Sequence, residues 1–124
     1  MTEDAGARLL RTARVLAADD AMAAYRELGG RSRVFKVGPA FGTKFLFFCQ
    51  DPSAPRRALI FDKNVADWLR GRAGLDLNPV PWSPKTYETY LGQIHRWADA
   101  LDVEPEVVEL VMFCEAVGPD SPWR

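Results

Sequence analysis

Val37-Gly38-Pro39-Ala40-Phe41-Gly42-Thr43-Lys44 runs from a small-residue turn straight into an apolar stretch. Residues 41–50 read as a buried helix with a lysine in its first turn. Leu59-Ile60-Phe61-Asp62 follows as a short extended run ending in a carboxylate, 18 residues after that lysine. Residues 51–55, with two prolines, a serine and an aspartate, read as the loop between them. Two elements joined by that loop can bring one amine and one acid into a single cleft.

The flanking segments are helical by pattern. Residues 5–18 place Leu9, Leu10, Ala13, Leu16 and Ala17 at helical spacing. Asp19 or Asp20 suits the N-cap of a second helix through Tyr25 and Leu28, closed by Gly29-Gly30. Residues 31–37 fit a short helix or a strand. Asp62 reads as the N-cap of a helix over 64–71. Residues 74–84 hold three prolines and read as an irregular connection, with Trp82 tucked onto the core. Residues 84–101 give the clearest amphipathic helix, with Tyr87, Tyr90, Leu91, Ile94, Trp97, Ala98 and Leu101 on one face. Pro105 opens a last helix, whose inner face is Val108, Val111, Met112 and Glu115 or Ala116. The tail 118–124 is expected to fray. The expected fold class is all-α: a compact bundle of about six helices in one domain over 1–124.

Composition bounds the function. The chain has 124 residues, 48% hydrophobic and 27% charged, as in ordinary globular proteins. No apolar run is long enough for a membrane span, and the acidic start Met1-Thr2-Glu3-Asp4 is unlike a signal peptide. A cytoplasmic protein with no membrane partner is expected. Cys49 and Cys114 stand in apolar settings and read as buried free thiols, and no Cys/His spacing suggests a metal. The net charge of −1 gives no overall bias toward polyanions. Basic residues still cluster at Arg31, Arg33, Lys36 and Lys44, then at Arg56, Arg57, Lys63, Arg70 and Arg72. They form either one basic face or ordinary solvated helix surfaces.

Lys44 and Asp62 carry the sharpest chemistry. Unpaired N–H groups at a helix start suit an anion such as phosphate, and Gly38 and Gly42 let a backbone pass close to one. The same turn also fits a plain connector between helices. The positive end of the helix dipole, and partial burial against Phe41, Phe45 and Phe48, would favour the neutral amine that nucleophilic attack requires. The competing reading is a snorkelling lysine. Asp62 caps a helix, or faces the lysine to assist proton transfer and offset positive charge. His95, without partners in the pattern, reads as structural. Tyr87, Tyr90 and Trp97 read as core rather than base-stacking groups. Trp82 and Trp123, in proline-rich segments, could mark a protein interface.

Residues 37–44 together with Leu59-Ile60-Phe61-Asp62-Lys63-Asn64-Val65-Ala66 resemble the helix-hairpin-helix DNA glycosylase superfamily, in its 8-oxoguanine DNA glycosylase branch. The resemblance extends over about residues 20–116. It implies a helix-hairpin-helix motif with Lys44 as the catalytic lysine and Asp62 as the catalytic aspartate. It gives the DNA phosphates to Gly38, Ala40, Gly42, Thr43 and Asn64. Phe48, one turn beyond Lys44, would pack against the flipped base. Glu109 and Phe113 of the last helix, four residues apart, would line the base pocket.

The implied activity is base-excision repair by a glycosylase with associated lyase action, through a lysine Schiff base and without a cofactor. Its partner would be damaged or modified DNA, and a single strand would cost less to engage than a duplex. Three departures stand out. Ala40 replaces the first hairpin glycine, and Asn64 replaces a phosphate-contacting histidine. Residues 1–36 also fall short of the family's larger region before the hairpin, so a protein partner supplying it is expected. The alternative of another class is a catalytically inactive module that binds DNA backbone or a protein. A purely structural helical domain is the third reading.

Overall fold

The structure, a computed structural model, describes residues 4–18, 20–34, 37–51, 53 and 57–117. The expectations for Lys36, Arg56 and the 118–124 tail with Trp123 lie outside the described residues. Among the described residues there are six α-helices and no strand. They are α1 Ala5–Ala18, α2 Ala21–Gly29, α3 Pro39–Cys49, α4 Lys63–Trp68, α5 Pro84–Leu101 and α6 Pro105–Val117. A single π-helical turn, Leu69–Ala73, continues α4. Among the described residues, no helix is long and apolar enough to cross a membrane.

Local chemistry sets most of these ends. Asp20 caps α2 by accepting from Ala23 N–H at 2.8 Å. Ser83 caps α5 by accepting from Thr86 N–H at 3.2 Å, with Pro84 at the helix start. Gly74, at φ 67°, closes the π turn in the left-handed conformation that glycine adopts without strain. Residues 31–34 form neither helix nor strand. They are tied down instead by Arg11 of α1, which donates to Glu27 (3.1 Å) and to Ser32 (2.8 Å).

One core joins α2, α3, the extended residues 58–61, α4, α5 and α6. Its centre is aromatic: Tyr25 stacks on Tyr87 at 4.3 Å, and Phe61 stacks on Tyr90 at 4.5 Å. Tyr87, Tyr90, Leu91, Ile94 and Ala98 of α5 are buried as expected, whereas Leu101 is exposed. In α1, Leu10 points to solvent and Thr12 is buried, so the inner face is rotated from the expected one. In α6, Val111 is exposed beside Val107 and Leu110, while Glu109 and Met112 face inward. Cys114 is half-buried and Cys49 is exposed; both thiols are free.

The α3 helix departs furthest from expectation. It is nearly all apolar, so its pattern selects no face, and its packing against α1 and α2 selects one. Pro39, Gly42, Thr43 and Leu46 are buried. At about 100° per residue they form one stripe, and Phe41, Lys44 and Phe48 form the opposite one. Phe41, Lys44 and Phe48 are all exposed, so Lys44 is not buried among phenylalanines.

Gly42 serves this packing. A Cβ built there would lie 2.4 Å from the Trp82 ring and 3.1 Å from Leu28 Cδ2. Trp82 is itself confined by Gly29 and by the Tyr25 ring at 5.1 Å. Gly38 has open space around its Cα. Gly42→Ala should therefore destabilise the fold by about 1–3 kcal/mol through overpacking. Gly38→Ala should cost less than about 1 kcal/mol. Denaturant melts of the two variants measure the contrast.

Candidate active site

The chain leading into Asp62 is extended but belongs to no sheet. Buried backbone polar groups need partners, and here side chains from three helices and one helix end supply them. Arg57 N–H donates to His95 Nε2 at 3.2 Å. Gln50, just past α3, accepts from Ala58 N–H (2.6 Å) and donates to Ala58 O (2.8 Å). The Tyr87 hydroxyl accepts from Leu59 N–H (3.1 Å) and donates to Leu59 O (2.7 Å). The Tyr90 hydroxyl donates to Ile60 O at 2.7 Å, and Glu109 Oε2 accepts from Ile60 N–H at 3.2 Å. Phe61 N–H donates to Thr43 Oγ1 at 2.9 Å. Residues 57–61 thus form a strap bolted to α3, α5 and α6.

Protonation states follow from these contacts. Burial pushes the Tyr87 and Tyr90 hydroxyls far above the ordinary tyrosine value, so both keep the proton they donate. His95 accepts at Nε2, so its proton sits on Nδ1 and is donated to Leu91 O at 2.7 Å. Burial also pushes the Glu109 carboxyl up to about 7, against the pull of Ile60 N–H. Repulsion from Asp62 and Glu106 adds to that rise.

The strap delivers Asp62 to the start of α4, where its carboxylate caps the helix by accepting from Val65 N–H at 3.1 Å. Asp62 is half-buried. The Thr43–Phe61 bond docks the residue before Lys44 onto the residue before Asp62. Thr43 is fully buried and also donates to Ala40 O at 3.2 Å.

The remaining expected site residues are spread along these elements. Gly38 is exposed at the α3 N-cap, which no side chain caps. Ala40 is half-buried, and Asn64 is half-buried in the first turn of α4. Phe48 is 76% exposed. Phe113 is half-buried on α6, and Glu109 is buried behind the strap. A separate apolar groove of about 650 Å³ between α4, α5 and α6 is lined by Trp68, Trp97, Val107 and Val111 and contains none of the expected site residues.

Sequence reading missed Gln50, Tyr87, Tyr90 and His95 as the anchors of the strap. The available signal was the pair of tyrosines on a core face, since a buried tyrosine hydroxyl demands a polar partner.

A family model described as "Putative 8-oxoguanine DNA glycosylase OGG-like protein" matches residues 1–113. The curated proteins and the solved structures give no significant match.

Two stability outcomes follow from the strap. Tyr87→Phe orphans both Leu59 N–H and Leu59 O, and should cost roughly 2–4 kcal/mol in an equilibrium melt. Glu109 titrates about 7 when folded and near 4.5 when unfolded, so the native state binds the extra proton between these values. Its contribution is fully present below pH 4.5 and is lost as pH rises through 7, by roughly 3 kcal/mol in all. Glu109→Gln keeps an acceptor for Ile60 N–H and should remove that dependence. Melts of both proteins from pH 4.5 to 8 give the difference.

Proposed function

The chain belongs to this OGG-like family, and on that premise we propose that it is a DNA base-excision glycosylase with lyase action, working through Lys44 and Asp62. The observation that supports the pairing is the Thr43–Phe61 hydrogen bond, which couples their immediate chain neighbours. Asp62 is fixed by its cap at the start of α4 and by the strap that leads into it, so its position does not depend on mobile parts.

In this reading the damaged base is turned out of the stack so that C1′ of its deoxyribose reaches Lys44 Nζ. The neutral amine attacks C1′, and the C1′–base bond breaks. The base leaves with the electron pair and takes up a proton. Opening of the sugar ring leaves the lysine joined to C1′ as a Schiff base. Loss of a C2′ proton then expels the 3′ phosphate by β-elimination. Asp62 assists deprotonation of the amine and offsets the positive charge developing at C1′.

Phosphates lie along Gly38, Ala40 and Asn64. Gly42 and Thr43 support that turn from within, since both are buried. Phe48 packs against the base, and Phe113 and Glu109 complete its pocket. Glu109 acts there from behind the strap, where its Oε2 is engaged by Ile60 N–H.

The exposure of Lys44 favours a second reading, a module of the same fold that grips DNA backbone without chemistry. Borohydride trapping on an oligonucleotide carrying an abasic site or an oxidised guanine separates the two. The glycosylase reading expects a covalent adduct in the wild type, none in Lys44→Ala, and trapping slowed by about a hundredfold or more in Asp62→Asn. DNA binding with no adduct on any substrate would leave the binding module.

A further inference from the structure

We propose that the outward face of α3 is a stacking platform for unpaired DNA, on which Phe41 takes the base neighbouring the one against Phe48, with Lys44 between them. The proposal rests on the reading of Lys44 above and assigns Phe41 a role in substrate choice.

Residues 41, 44 and 48 fall on one stripe of α3, opposite its buried stripe. Phe41 is 58% exposed and Phe48 is 76% exposed. The other large hydrophobic residues exposed among the described residues are aliphatic: Leu10, Val80, Leu101, Val103, Val107, Leu110 and Val111. Both exposed phenylalanines therefore flank the one lysine in α3. Aliphatic groups suit protein or core contacts. Flat rings beside a cation suit base faces beside a phosphate.

Lys44 makes no ion pair among the described residues, so no acid among them competes with DNA for its amine. The Phe48 ring is steadied by Phe47, edge to face at 5.2 Å. At 1.5 Å per residue, Phe41 and Phe48 stand roughly 10 Å apart along the helix. That gap leaves room for the sugar-phosphate chain to pass Lys44 while a base rests on each ring.

A duplex offers neither contact, because its bases already cover one another's faces. The occupant is therefore an unpaired stretch of DNA. A protein partner on this face would be indifferent to bases.

The test uses a single-stranded oligonucleotide with a tetrahydrofuran abasic analogue, the matching duplex, and fluorescence anisotropy. Phe41→Ala should weaken single-strand binding about tenfold or more, the loss of one stacked base. Phe41→Leu should behave like the alanine variant, and Phe41→Trp should restore binding. Duplex binding should be weaker than single-strand binding and insensitive to all three. Melting temperatures should be unchanged, because Phe41 lies outside the core.

Equal single-strand binding by Phe41→Ala and wild type overturns the platform, as does full single-strand binding by the leucine variant. Borohydride trapping on an abasic single strand separates this claim from the previous one. Trapping that persists unchanged in Phe41→Ala removes the platform and keeps the enzyme. Phe41-dependent binding without trapping keeps the platform and removes the enzyme. Absence of all DNA binding removes both.

Discussion

An extended segment with no neighbouring strand is the constraint on which this molecule turns. In a sheet, the N–H and C=O groups of residues 57–61 would be paired by backbone. Here Thr43, Gln50, Tyr87, Tyr90, His95 and Glu109 do that work. Leaving one such group buried and unpaired costs about 1–3 kcal/mol, so the six side chains together fix the strap against any slip in register. A slip by one residue would also disturb the packing of Ala58, Leu59 and Phe61, all fully buried. The position of Asp62 is therefore set by side chains far away in sequence.

The same network explains why a carboxyl is retained in the core. Glu109 supplies the acceptor for Ile60 N–H, a task that an apolar residue cannot perform. It stands close enough to Asp62 for the two acids to repel each other, and this with burial keeps its own proton on into the neutral range. In this chain, Glu109 holds the strap and Asp62 at its end caps α4.

Legibility in the sequence tracked the locality of the physics. Helix ends set by a cap a few residues away, such as Asp20 and Asp62, were readable from spacing, as was the all-α class. The face of α5 was readable because polar residues mark its outer side. The face of α3 was not, because a run of apolar residues leaves no contrast, and only contact with α1 and α2 chose which phenylalanines turn outward. Gly42 was read as room for a phosphate, yet the close neighbour is the Trp82 ring, 40 residues on. The Lys44 and Asp62 spacing was visible, and the Thr43–Phe61 bond that relates them was not, since threonine announces no long-range partner. Of the residues given to the base pocket, Phe48 sits on the outward face, whereas Glu109 is engaged by the strap.

The basic cluster bears on how such a site would hold DNA. Arg57 is bound by Glu106 at 2.5 Å and Glu104 at 3.6 Å. Lys63 and Arg70 share Asp67, and Arg70 also meets Asp76. Arg57, Lys63 and Arg70 of the expected basic face are thus neutralised by acids of the same chain, whose net charge is −1. Affinity gained by releasing counterions scales with the number of phosphates neutralised, so a cation already paired within the chain adds less to it. A duplex presents chiefly phosphates to a convex helix and so offers this surface little. An unpaired strand adds base faces, whose stacking on aromatic rings contributes about 1–3 kcal/mol each. Charge pairing on one side and open phenylalanine rings on the other therefore argue for the same ligand, one recognised by its bases rather than by its charge.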